Sequence, residues 1–210
     1  MKTRLDDMKC SRWDELRLIV EVLIEIGAVF DSSGIDVYFL DRPPILNISE
    51  LGRIDQAFAL GPQDYTPLAC VLRHIFDSSV SKRGSDKKLL VLVAMDGEPT
   101  NEKGDNDIAA LKHVIQQERR SDTVHVAFLA CTDDESAVAY LDEWDRIMTN
   151  VCVTVDYRTE RDFVHQHHGH QCPFSFGDYI SKALLSAIDP KVDVFSDLQT
   201  ENNAATEEAH

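Results

Sequence analysis

Positive charge is scarce in this chain. Its 210 residues contain 21 lysines and arginines against 37 aspartates and glutamates, so the formal net charge is −16 at neutral pH. Nucleic acids and anionic membrane surfaces bind to basic faces, and the composition therefore argues against both as partners. The sign of the charge suits cations or basic proteins.

Long apolar runs are also lacking. No stretch approaches the length of a transmembrane helix, and the N-terminus is polar and charged through Lys9, unlike a secretory signal peptide. The five cysteines have no regular spacing, which is typical of reduced thiols rather than of a disulfide framework. These features together predict a cytoplasmic protein.

The motifs of common enzyme classes are missing too. No G-x-G-x-x-G follows an apolar run, and there is neither a Walker motif nor a G-x-S-x-G elbow. We therefore predict that the chain is not an enzyme, with an α/β enzyme of unrecognised type as the alternative.

The length and the 43% content of hydrophobic residues suit one globular domain with a substantial core. We predict that residues 1–189 form this domain. The remaining segment, 190–210, is acidic and largely polar, and its composition predicts disorder.

The most informative segment is Lys88–Thr100, with the sequence KLLVLVAMDGEPT. Its apolar residues run without alternation to Met95, which predicts a parallel strand buried on both faces. Asp96 and Gly97 follow at the carboxyl end of that strand, where open α/β folds bind their ligands. The alternative is that Asp-Gly only starts a turn.

A second loop, with the sequence GPQDYTPL, leads into a predicted helix at Leu68–Phe76. Pro67 suits the first helical turn, and Thr66 stands where an N-cap residue belongs. A helix cap is therefore the structural interpretation of Thr66, and a ligand-binding hydroxyl is the functional one.

Strands alternate with helices along the chain, which predicts an α/β fold with a mostly parallel sheet flanked by helices on both faces. The predicted helices are Arg12–Phe30, Ser49–Phe58, Leu68–Phe76, Asp107–Glu118, Glu135–Thr149 and Phe176–Ile188. The predicted strands are Ile35–Leu40, Leu89–Met95, Thr123–Ala130 and Val151–Val155.

This order of elements resembles that of a von Willebrand factor type A domain. The resemblance includes two motifs, a hydroxyl just ahead of one helix and an Asp-Gly that closes the next strand. The resemblance implies a Rossmann-like, three-layer sandwich in which two loops coordinate Mg²⁺ in a metal-ion-dependent adhesion site. Thr66 and Asp96 are the metal ligands that it implies here. It also implies a protein partner, bound through neighbouring loop residues: Asp64, Tyr65, Gly97 and Glu98.

The chain departs from the family's pattern at its start. Type A domains open with a central strand ending in Asp-x-Ser-x-Ser, which supplies most of the metal's side-chain ligands, and this sequence has no such strand. The segment Asp31–Gly34 has a similar composition, but it follows a predicted helix instead of a strand. Gly34 indicates the end of that helix. Mg²⁺ binding is therefore expected to be weak, because too few of its octahedral oxygen ligands are present.

The missing central strand also suggests a second function. Its two neighbours would be left with bare edges, and unpaired edges invite association. The alternative to an interaction module is therefore a strand-accepting assembly unit, completed by a second copy of the chain or by a partner that supplies a strand.

A histidine-rich tract, His165–Cys172, contains four histidines and a cysteine within eight residues. Zinc or copper could bind such a tract. The favoured interpretation is a hydrophilic loop before the last helix, because a single run lacks the braced ligand pairs of a structural zinc site.

Overall fold

The structure is a computed structural model that describes residues 11–62, 65–77, 87–132 and 134–189. The described residues divide into two compact units, one within 1–78 and 98–119 and the other within 79–97 and 120–210. The predicted disordered tail, 190–210, and the polar N-terminus through Lys9 lie outside the described residues. That residues 1–189 form one domain stays a prediction.

The first unit begins with helix α1, which covers Arg12–Phe30 as predicted. Ser11 starts it with a capping box, because its hydroxyl accepts the Asp14 amide hydrogen and the Asp14 carboxylate accepts the Ser11 amide hydrogen. After the helix, Gly34 has a φ of +80°, and a Cβ there would collide with the Ile48 carbonyl. Only glycine fits this turn, in agreement with its predicted role as the helix stop.

Two short strands follow, β1 (Ile35–Val37) and β2 (Ile45–Ile48), and they pair antiparallel. The prediction that Ile35–Leu40 is a strand of the parallel sheet is therefore wrong. The strand stops at Val37, and the chain returns beside it after a short connection, which favours antiparallel pairing of neighbouring segments.

Helix α2 covers Gly52–Phe58 and starts without a side-chain cap, so the prediction that it begins at Ser49 is wrong. The helix is held by α1, since Trp13 Nε1 donates to the Phe58 carbonyl at 2.8 Å and the two rings lie 4.7 Å apart. The core of this region consists of Ile24, Ile48, Ile54 and Phe58.

Helix α3 (Leu68–Phe76) and helix α4 (Ile108–His113) complete the first unit, and α4 continues as a π-helical turn through Val114–Glu118. Arg73 of α3 donates two hydrogen bonds of 2.7 Å to the Glu118 carboxylate. This hydrogen-bonded pair lowers the pKa of Glu118 and raises the pKa of Arg73.

The second unit is built on a parallel sheet with the strand order β3-β4-β5, formed by Leu89–Met95, Val124–Ala130 and Val151–Thr154. Every residue of the middle strand, β4, is buried, as expected for a parallel strand covered on both faces. The predicted α/β class with a parallel sheet is thus confirmed.

Later segments pack against both sides of the middle strand. Phe128 of β4 lies 6.0 Å from Trp144 of helix α5 (Tyr140–Ile147), ring centroid to ring centroid. The preceding Ala127 packs with Ala187, which follows the last helix. Adjacent residues of a strand point to opposite faces, so these two contacts lie on opposite sides of β4. The helix predicted at Glu135–Thr149 is shorter than expected, since a 3₁₀ turn, Glu135–Ala137, precedes α5.

Helix α6 covers Tyr157–His168, and helix α7 covers Phe176–Leu185. The interpretation of His165–Cys172 as a loop is therefore wrong for its first half, which forms the last turn of α6. Asp156 caps the start of α6 by accepting two backbone amide hydrogens. Gly169, with a φ of +87°, follows its end. The sequence analysis did not predict α6. The helix contains few apolar residues, so its start and stop signals do not flank an apolar stripe.

Candidate functional site

The segment around Thr66 is fixed by its backbone. The Thr66 amide donates to Thr100 Oγ1 at 2.8 Å, and the Thr100 amide donates back to the Thr66 carbonyl at 3.0 Å. This reciprocal pair joins the start of α3 to the polar loop, which we define as residues 98–107. Both elements belong to the first unit.

The predicted helix cap at Thr66 is wrong. Pro67 occupies the cap position of α3, and no side chain caps the helix. In the part of the chain that the structure describes, the Thr66 hydroxyl makes no hydrogen bond. Among the described residues, the fold therefore uses the backbone of Thr66 and the hydroxyl of Thr100, and the half-buried Thr66 hydroxyl has no structural role.

The polar loop holds its own shape. Asn101 Oδ1 accepts the amide hydrogens of Lys103 and Asp105 at 2.8 and 3.0 Å. The Asn101 amide donates to the Asp105 carbonyl at 2.9 Å, and the Gly104 amide donates to the Asn101 carbonyl at 3.0 Å. An asparagine that bonds to the backbone just after itself stabilises a tight turn, so this loop is held by its own hydrogen bonds.

Tyr65 and Glu98, two of the predicted ligand-binding residues, lie on this part of the first unit. Tyr65 is 54% exposed, yet its ring lies so close to Gly104 that a Cβ there would be 2.7 Å from Tyr65 Cε1. Gly104 also has a φ of +84°, so the position favours glycine for two reasons. Glu98 accepts a hydrogen bond from the Asn106 side chain, which ties its carboxylate to the loop.

Asp96 and Gly97 lie in the second unit, directly after β3. Asp96 is exposed and has no hydrogen-bond partner among the described residues. A Cβ placed on Gly97 would meet none of the described atoms within 4 Å. The exposed Asp96 carboxylate thus follows β3 at the carboxyl edge of the parallel sheet, where open α/β folds bind their ligands.

The next strand ends at the same edge of the sheet, because the Cys131 amide donates to the Met95 carbonyl at 2.7 Å. A second carboxylate follows there, Asp134, but it is committed to a local turn. It accepts hydrogen bonds from the hydroxyl and the amide of Ser136, which lower its pKa. Asp96 thus differs from Asp134 in having no such local role within the described residues.

The predicted site residues are divided between the two units. Tyr65, Thr66 and Glu98 belong to the first unit, whereas Asp96 and Gly97 belong to the second. Asp64 lies outside the described residues. That Thr66 and Asp96 share one metal ion therefore stays a prediction.

A shallow cavity of about 270 Å³ lies beside α3 in the first unit, with Cys70, Arg73 and Lys103 in its lining. Its volume is below the roughly 300–1,000 Å³ of typical small-molecule sites. Arg73, its strongest anion-binding group, is already paired with Glu118. We assign no ligand to this cavity.

Comparison of the chain with models of known protein families, with curated proteins and with solved structures gave no significant match in any of the three. Within residues 11–62, 65–77, 87–132 and 134–189, no three His, Cys, Asp or Glu side chains are grouped so as to hold a metal ion. In the same residues, no helix combines the length and the apolar character needed to cross a bilayer.

Proposed function

We propose that this chain is a non-enzymatic protein-interaction module that resembles a von Willebrand factor type A domain, with a three-layer fold and an incomplete metal-ion-dependent adhesion site. Two features support the proposal. The parallel strand β3 is followed at its carboxyl end by the exposed Asp96. The loop before α3 presents a threonine and an exposed tyrosine beside a hydrogen-bonded turn.

The observation that carries the proposal is the way in which Thr66 is held. Its amide and its carbonyl are both bound to Thr100, while its hydroxyl is not used to cap α3. A hydroxyl in that position is usually consumed by the helix. Here the fold supplies another anchor, so the hydroxyl and the adjacent Tyr65 ring can contact a partner. Aromatic side chains of this kind often dominate protein interfaces.

The metal site is expected to be weak. A Mg²⁺ ion prefers six oxygen ligands, and the proposal supplies only the Thr66 hydroxyl and the Asp96 carboxylate, with water for the rest. Titration calorimetry with Mg²⁺ and Mn²⁺ tests this expectation. We expect no tight binding to the wild type, and micromolar binding that Asp96→Ala abolishes would overturn it. Asp142→Ala, which removes an exposed carboxylate from helix α5 of the same unit, is the matched control.

Affinity capture followed by quantitative mass spectrometry tests the interaction itself. The bait proteins are the wild type, Tyr65→Ala and the control Phe30→Ala, which removes another exposed aromatic side chain from the first unit. We expect proteins that the wild type retains to be lost with Tyr65→Ala and kept with Phe30→Ala. If the two variants retain the same proteins as the wild type, Tyr65 is not an interface residue and the proposal is wrong.

One observation favours the second candidate, a strand-accepting assembly unit. In the described residues β3 pairs with β4 alone, so it is an edge strand, and its sequence LLVLVAM carries neither a charge nor a proline to discourage pairing. Size-exclusion chromatography with light scattering separates the candidates. A concentration-independent monomer supports the interaction module, and an obligate oligomer supports strand acceptance.

A further inference from the structure

The histidine-rich end of α6 contains a pair of imidazoles that the chain reversal after the helix brings close together. His165 lies in the last helical turn, and His170 lies in the turn that follows. Gly169, with a φ of +87°, reverses the chain between them, and the Cys172 amide donates to the Gly169 carbonyl at 2.9 Å. As a result the two imidazole ring centroids are 5.7 Å apart, at an interplanar angle of 62°.

This separation matches the geometry of two imidazoles on one metal ion. Zinc binds histidine nitrogen at about 2.0–2.1 Å, and a tetrahedral ion then holds two ring centroids roughly 5 Å apart. His165 is half-buried at the helix end and His170 is exposed, so one ring is positioned and the other can adjust. Chelation requires the exposed His170 ring to turn its nitrogen toward the same ion as His165.

The neighbouring His167 is engaged differently. Its Nδ1 lies 2.8 Å from the Phe163 carbonyl, and its ring centroid lies 4.0 Å from that of Phe163. The position of this ring is thus set by its own helix rather than by the turn. The tract therefore contains one prearranged histidine pair and one histidine with another role.

We propose that His165 and His170 form a two-histidine site for a divalent late transition metal ion such as Ni²⁺ or Zn²⁺. Imidazole nitrogen favours these ions and not Mg²⁺, which prefers oxygen. Water or an external ligand completes the coordination, because the described residues contain no group of three ligands. The net charge of −16 also attracts cations to the protein. The site is independent of the interaction site proposed above.

Titration calorimetry of the full chain with NiCl₂ and with ZnCl₂ tests the proposal. We expect one ion to bind, and we expect His165→Gln and His170→Gln each to weaken binding about a hundredfold, because each converts a chelating pair into a single ligand. MgCl₂ should give no binding that these variants change.

Two controls separate the pair from general metal binding by histidines and thiols. His167→Gln and Cys172→Ser should each leave the affinity within about twofold of the wild type, since neither residue belongs to the pair. His170 is exposed in a turn, so its substitution leaves the fold intact, and circular dichroism checks this. If His167→Gln weakens binding as much as His170→Gln, or if His165→Gln and His170→Gln have no effect, the prearranged pair is not the site.

Discussion

Replacing Thr100 with valine removes the hydroxyl oxygen that accepts the Thr66 amide hydrogen, while the shape of the side chain is kept. A typical hydrogen bond contributes about 0.5–1.5 kcal/mol net, and a fully buried donor left without an acceptor costs about 1–3 kcal/mol. Both residues are half-buried, so water can partly replace the lost acceptor. We therefore expect Thr100→Val to lower the free energy of unfolding by about 1 kcal/mol.

Two measurements check this expectation. Urea denaturation followed by circular dichroism gives the change in the free energy of unfolding. Hydrogen exchange of the Thr66 amide reports the same bond locally, and a loss of about 1 kcal/mol corresponds to exchange that is about fivefold faster. Thr100→Ser keeps the acceptor oxygen, so its Thr66 amide should remain protected as in the wild type.

The decisive comparison is with Thr66→Val. This variant keeps both backbone hydrogen bonds to Thr100 and removes only a hydroxyl that does not cap α3, so its stability should stay within about 0.5 kcal/mol of the wild type. If Thr66→Val destabilised the protein as much as Thr100→Val, the Thr66 hydroxyl would be part of the fold. The Thr66 hydroxyl would then not be available to a ligand.

Two further predictions concern the helices of the second unit. Lys182 of α7 donates to the buried carboxylate of Glu160 at 2.8 Å, so Lys182→Met, which leaves that carboxylate buried, should cost about 3 kcal/mol in urea denaturation. The double variant Glu160→Met/Lys182→Met should recover most of this loss, and a double variant as unstable as the single one would contradict the assignment. Asp178 accepts hydrogen bonds from the hydroxyl and the amide of Ser175, which lower its pKa below the usual 3.8. Its contribution to stability should therefore be complete above about pH 4 and disappear as the pH falls through the lowered pKa, so that wild type and Asp178→Ala converge in stability at acidic pH. A difference that persists unchanged in acid would show that the carboxylate charge does not matter there.

Several elements were predictable from the sequence because their apolar residues form an uninterrupted run or a stripe with helical spacing. The sequence predicts the run that forms β3 with the same bounds as the structure, because a short, uninterrupted leucine and valine run between polar segments is typical of a strand buried on both faces. Helix α1 was predicted with its exact bounds, since its apolar stripe has helical spacing. Helix α6 was missed, because its exposed surface is polar and its start and stop depend on single residues, Asp156 and Gly169.

The candidate site was only partly predictable. The sequence identified Asp96 at the carboxyl end of a parallel strand, and the structure confirms that it follows β3. For Thr66 it offered two interpretations, a helix cap and a ligand-binding hydroxyl, because a threonine before a proline and an apolar helix is the usual cap pattern. The true anchor is the hydroxyl of Thr100, which is 34 residues away in sequence, and no local pattern reports such a contact.

The amino-acid sequence by itself determined the elements whose burial or capping is local: the apolar runs of β3 and β4, the stripe of α1 and the glycine stop at Gly34. Tertiary structure alone decided the contacts between distant segments. It paired β1 with β2 instead of placing β1 in the parallel sheet, and it joined the Thr66 amide to the Thr100 hydroxyl across 34 residues. The physical reason is that helical spacing and strand burial are properties of neighbouring residues, whereas a hydrogen bond or ring pair across a chain reversal depends on where the whole backbone leads.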